Sequence, residues 1–416
     1  MINSIKKLGP GLLFAGAAIG VSHLVQSTKA GALFGFGLIW AILAANILKY
    51  PFFEFGSRYA NATGKSIIDG YKEIGNWALW CYTLITLGSM FFVCAAVGKV
   101  TTGFLQNLFQ LDSMGINSTT ANILVFGVCG SLLIIGRFKI LDGLIKIIGI
   151  VLLISTLAAF ILCIFNGPVN PSVSYEIFSM ESSAIAFLIP LMGWMPTAVD
   201  LSSWNSLWTI EKIKLSGYHP KLKETLFDFN FGYITSAFLS ICFVTLGAFL
   251  IYGTDTEIAK QGHLFAHQVI QLYTQVFGSW SYIIISSCTF SIMFGTCIAV
   301  FDGYARATKR IIELFGERNE SKTSKKSYPI AVITLIVGSF ILIEIFSSRG
   351  DFSILVNLAT IISFLVAPVI AIFNHYLVTK KVDEDFKPSL WLKTLSYMGI
   401  FYLIGFSVFF LIYTFI

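Results

Sequence analysis

Apolar residues in this chain run in blocks of about 20, separated by short polar links, which is the length a helix needs to cross a bilayer. The blocks predict eleven helices, over residues 9–29, 32–56, 77–107, 121–137, 143–165, 182–209, 229–253, 276–305, 328–347, 352–378 and 391–415. A transmembrane β-barrel would show alternating segments of about 10 residues instead, and none is present. Two of the eleven blocks cannot be continuous helices. In the sixth, Ile189-Pro190-Leu191-Met192-Gly193-Trp194-Met195-Pro196-Thr197 places two prolines and a glycine within one short stretch. Each proline removes a backbone donor and crowds the preceding turn. In the first, Gly16-Ala17-Ala18-Ile19-Gly20-Val21-Ser22-His23 puts glycine, serine and histidine at mid-depth. Backbone groups freed inside hydrocarbon are tolerated only where they face protein or a polar cavity.

Each interrupted span is followed by four more. The chain therefore divides into two units of five, about 9–165 and 182–378, with an extra helix at 391–415, all within one membrane domain over 1–416. An odd number of crossings turns the second unit upside down, and paired breaks in inverted repeats point to a solute site between them. A channel would show a re-entrant filter loop, and a membrane enzyme a cluster of acid, base or metal-ligand residues; the sequence has neither.

Basic residues orient the spans. With the N-terminus cytoplasmic, only Lys29, Lys99, Lys260 and Arg349 of the 28 Lys and Arg lie on the outer side. The rest, among them Lys6, Lys7, Arg137, Lys212, Lys223, Arg318 and Lys322, lie on the inner side, which places the C-terminus outside. The net charge of +6 sits in these inner loops, a membrane-topology pattern that gives no reason to expect nucleic acid. A hydrophobic content of 56% with 12% charged residues excludes an ordinary soluble domain. Seven cysteines all lie in apolar runs without metal or disulfide spacing and read as small buried hydrophobes. Lys6-Lys7 before an apolar run imitates a signal peptide, but Gly9-Pro10-Gly11 opens the run and many spans follow, so it reads as a retained first helix. The charged, Ser/Lys-rich link near Glu313–Ser327 reads as a flexible loop.

Few polar residues lie inside the spans. Asp200 is the only carboxylate near the sixth-span break, three residues after Thr197, and shares a helix face with it. Its alternatives are a functional group or a partner for a lysine or backbone amides. Asp302 and Arg306, four apart near the cytoplasmic end of the eighth span, are either an inner gate or a helix-end ion pair. Lys49 and Glu54 read as interfacial residues at the inner end of the second span. Ser286, Ser287, Thr289, Ser291 and Thr296 on the eighth span are either sodium ligands facing the first break or ordinary helix–helix contacts.

Gly9-Pro10-Gly11, Lys29-Ala30-Gly31 with Phe34-Gly35, Ala60-Asn61-Ala62-Thr63-Gly64-Lys65 and Met195-Pro196 resemble the Nramp family of divalent metal transporters. The resemblance implies a LeuT-type fold, alternating access and a metal ion held between the two breaks. It also exposes departures. The family's Asp-Pro-Gly-Asn falls on Gly20-Val21-Ser22-His23, and its Met-Pro-His on Met195-Pro196-Thr197. The residue whose carbonyl would face the ion corresponds to Met192. The acidic residues expected in the third span are missing, which predicts weak or no proton coupling. The inferred site is Gly20, Ser22, His23, Met192, Gly193, Met195, Thr197 and Asp200, with His23 and Met195 as the metal-ligand candidates and no cofactor. Imidazole and thioether suit a soft or borderline ion, although His23 has the alternative of a hydrogen bond to a neighbouring helix. The substrates that fit are a divalent cation such as Mg²⁺, Mn²⁺ or another transition ion, or a small organic solute. A third reading is a sensor or scaffold with an inactive site. The oligomeric state is open.

Overall fold

The computed structural model describes residues 9–135, 138–179, 181–316, 324–347 and 352–415. Lys6, Lys7, Arg137, Arg318, Lys322 and Arg349, used above for orientation, lie outside these residues, as does the middle of the charged link after Glu313.

Among the described residues the structure is all-helical, and its long helices make up eleven spans. Span one is a bent pair, Pro10–Ala18 and Ser22–Phe34, with 41° between its halves. Span two is Ile39–Thr63, span three Asn76–Phe109, span four Ser118–Ile135 and span five Phe138–Asn166. Span six is again two pieces, Ser182–Gly193 and Leu201–Ser216. Spans seven to eleven are Leu222–Leu250, Tyr282–Phe315, Ser324–Ser347, Phe352–Lys380 and Leu390–Phe415. By length and hydropathy alone, seven of these helices qualify as spans, or eight with the bent pair. Span two fails that test because it carries Lys49, Glu54 and Arg58, all of them buried in the fold.

Several boundaries differ from the sequence expectation, and those around spans one, two and eight move polar residues to new positions. Gly35, at φ +56°, ends span one at Phe34, and the chain turns through Gly37 before span two begins at Ile39. Span two therefore sits seven residues later than the hydropathy block 32–56, which moves Lys49 from its inner end toward its middle. Span eight runs ten residues past 305, so Asp302 and Arg306 lie within the helix rather than at its end. Two short helices outside the apolar blocks were not anticipated: Ile67–Ile74, opened by a Ser66–Asp69 capping box, and Gly262–Phe277.

Packing places the breaks at the centre. The first half of span one packs against the second half of span six, and the second half of span one against the first half of span six. Spans two and seven flank them, while spans three, four, eight and nine pack on one another alongside. Glycines permit the closest approaches. A Cβ on Gly56 would collide with the Ser202 carbonyl, and one on Gly193 with the Thr360 carbonyl. Asp228 of span seven caps the start of span one, accepting from the amides of Gly9 (3.1 Å) and Gly11 (2.9 Å).

Candidate functional site

The span-one break begins where Ala18 ends a regular helix; after Gly20 the chain rewinds through a π-helical turn, Ser22–Ser27. Such turns recur at functional sites. Gly20 itself faces Thr296 of span eight, and a Cβ there would lie 2.6 Å from the Thr296 methyl carbon. Gly20 is thus the contact that lets span eight reach the break, and the Thr296 hydroxyl donates to the Gly16 carbonyl at 2.8 Å. Thr289 bonds within its own helix, and Ser286 Oγ is buried without a protein partner.

His23 is fully enclosed. Its Nε2 lies 2.8 Å from the Ser236 carbonyl on span seven. Both ring nitrogens stand beside acceptors, Nε2 beside the Ser236 carbonyl and Nδ1 beside the Ala18 carbonyl. Nδ1 is 2.7 Å from Ser22 Oγ and 3.1 Å from the Ala18 carbonyl, and Ser22 Oγ is 2.5 Å from that same carbonyl. The contact with a neighbouring helix is thus made at Nε2, while Nδ1 is turned toward the span-one break.

The span-six break is organised by a residue that sequence reasoning placed elsewhere. Lys49 is not interfacial: it is 0% exposed. Its ammonium donates to the carbonyls of Met192 (3.1 Å), Gly193 (3.1 Å), Met195 (2.8 Å) and Thr197 (2.8 Å). Met192 and Gly193 end the first helix of span six, where carbonyls lose their helical partners and carry partial negative charge, while Met195 and Thr197 lie in the link before Leu201. The Met192 carbonyl, which the family resemblance assigns to an ion, faces this ammonium. The Met192 thioether meets the Tyr402 hydroxyl at 2.8 Å, and Met195 is fully buried. Glu54 is likewise buried rather than interfacial, paired with Arg58 at 2.5 Å.

Asp200 opens the second half of span six. One carboxylate oxygen accepts from the Tyr304 hydroxyl at 2.8 Å; the other is buried without a protein partner. Asp200 and Lys49 attract each other through space without touching. Asp302 and Arg306 pair at 2.7 Å, and Asp302 also accepts from Trp208 Nε1 of span six (2.9 Å) and the Tyr328 hydroxyl of span nine (2.6 Å). Three spans meet on that one carboxylate. Among the described residues, no three His, Cys, Asp or Glu side chains converge as a metal cage.

Lys49, Ala18, Ser236 and Tyr304 are site residues that the sequence reading missed. Lys49 alone carried a signal, as a lysine within a span. The other three contribute a backbone carbonyl or a tyrosine hydroxyl, which no residue pattern marks.

A profile of the family described as natural resistance-associated macrophage protein-like matches residues 11–413. An uncharacterised protein of Pasteurella multocida (strain Pm70) is 33% identical over 407 residues, covering 97% of this chain and 91% of that protein. Among solved structures, a manganese transporter of Eremococcus coleocola superposes with a TM-score of 0.70 at 13% identity, over 96% of this chain and 85% of that one. Mhp1, a nucleobase-cation-symport-1 family transporter, gives 0.59 at 13% identity, over 96% and 91%.

Proposed function

Because the chain belongs to the natural resistance-associated macrophage protein-like (Nramp) family, we propose that it moves a divalent metal cation across a plasma or inner membrane by alternating access between its two broken spans. The observation that carries this reading is the half-shell at His23. Imidazole Nδ1, Ser22 Oγ and the Ala18 carbonyl stand 2.5–3.1 Å from one another. The far ring nitrogen is fixed by the Ser236 carbonyl, the outer-shell contact that orients metal-ligating histidines. Met195, Thr197 and the unpartnered oxygen of Asp200 are the candidates to complete the shell from span six. An ion that keeps part of its hydration needs less ligand charge, which fits a site with Gly20 where the family signature has Asp.

The imidazole and thioether suit a borderline transition ion, whereas Mg²⁺ or Mn²⁺ would rest on the carbonyl, hydroxyl and carboxylate oxygens and retained water; manganese is the ion named for the Eremococcus coleocola structure. The organic-solute reading gains no anion-binding group from Lys49. Three ammonium protons already serve four carbonyls, leaving no donor for an anion. Span three carries no carboxylate and only Lys99 as a charge between Trp77 and Gly103, so transport proceeds with weak or no proton coupling. The repeats at about 9–165 and 182–378 supply the two halves that rock around the site.

Uptake of Mg²⁺, Mn²⁺ and Zn²⁺ into proteoliposomes holding the purified chain tests the proposal. Uptake above protein-free vesicles is expected for at least one ion, with about a tenfold or greater loss in His23→Ala. No signal for any of the three would sink it. Orientation, with Lys223 inside and Lys260 outside, is checked by single-cysteine labelling at those positions in a cysteine-free background.

A further inference from the structure

Lys49 and the span-six break form a site of their own. Four carbonyl oxygens converge on one point at 2.8–3.1 Å, from Met192, Gly193, Met195 and Thr197. Among the described residues, the Lys49 ammonium is the one side-chain group bonded to these four oxygens. Rings of backbone carbonyls are the ligands that replace the hydration shell of monovalent cations in selectivity filters. The Asp200 carboxylate, at the start of the second half of span six, attracts the ammonium through space. The Phe53 ring lies 6.0 Å from the ammonium and adds a weak attraction. Lys49 itself is anchored on span two, so its stem delivers the charge from a helix packed against both halves of span six.

We propose that these four carbonyls are a monovalent-cation site whose standing occupant is the tethered ammonium of Lys49, so that span six holds its break without Na⁺ or K⁺ from solution. The stem makes the cation part of the chain, and its local concentration is independent of the medium. Truncating the stem vacates the site and leaves four inward carbonyls, which then take a free cation of matching charge: Na⁺, K⁺ or a small primary ammonium. The inference does not depend on which solute crosses the membrane, and a failure of metal uptake would leave it standing.

The test is thermal unfolding of the full-length protein in detergent, with choline chloride exchanged for NaCl, KCl or methylammonium chloride at constant ionic strength. Choline carries the same charge but is too bulky for the cluster. The wild-type midpoint should be the same in all four salts. Lys49→Ala should unfold at least about 5 °C lower in choline and regain half or more of that loss in NaCl, KCl or methylammonium. If Lys49→Ala does not accumulate, Lys49→Met keeps the stem volume while removing the charge, and the same selective recovery is expected of it. A variant that folds but responds equally to all four salts overturns the proposal. So does a wild-type protein that Na⁺ or K⁺ stabilises selectively over choline, a comparison that needs no variant at all.

Discussion

Replacing Asp302 by asparagine should be among the most damaging single-atom changes in this chain. The carboxylate accepts from Trp208 Nε1 at 2.9 Å, the Tyr328 hydroxyl at 2.6 Å and Arg306 Nε at 2.7 and 2.9 Å. Asparagine keeps one acceptor oxygen for three donor groups and turns an NH₂ toward the others. Breaking a buried ion pair by neutralising one partner costs about 3–5 kcal/mol. Here the Arg306 side chain retains 20% exposure and a second carboxylate, Glu211 at 3.7 Å, so about 2–4 kcal/mol is the expected loss. Unfolding in mixed detergent measures it. A double-mutant cycle with Tyr328→Phe should give a coupling of about 1–2 kcal/mol, because both changes act on the same bond. An Asp302→Asn protein within about 0.5 kcal/mol of wild type, or strict additivity with Tyr328→Phe, would refute the view that this carboxylate ties spans six, eight and nine together.

Other positions give simpler expectations. Gly193→Ala should destabilise the protein by about 1–3 kcal/mol through overpacking and suppress transport, since its Cβ would collide with the Thr360 carbonyl; wild-type unfolding and uptake would contradict this. Gly20→Asp, which introduces the Asp of the family signature, should lower thermal stability rather than raise metal affinity, because Thr296 fills the space the side chain needs; isothermal titration and unfolding together decide. Asp228→Ala removes the acceptor for the Gly9 and Gly11 amides, a capping loss of about 1 kcal/mol, and hydrogen exchange at the start of span one should accelerate while that of span three stays unchanged.

The number of spans and the two breaks could be read from the sequence because they depend on strong local signals: block length, Pro190, Pro196, and the glycines around them; the LeuT-type fold came from the family resemblance. The occupant of the span-six carbonyls could not. Hydropathy alone set span two seven residues early, since the block's apolar edge lies in the turn around Gly35 and Gly37 rather than in the helix. With that register Lys49 looked interfacial, and the four carbonyls it satisfies had no visible partner. His23 shows a different limit. The sequence identified the residue and both of its alternatives, but which ring nitrogen faces what depends on a carbonyl of span seven, 213 positions away. Gly20 illustrates a third. Against the family signature it read as a missing ligand, whereas in the fold it is a packing contact with span eight.

The Lys49–Asp200 arrangement has an electrical consequence. Each full charge carried across a membrane potential exchanges about 2.3 kcal/mol per 100 mV. An ammonium on span two and a carboxylate on span six, in helices that pack against each other, sum to zero and travel through the field together. In the proposed transport cycle this pair would therefore contribute no net gating charge of its own.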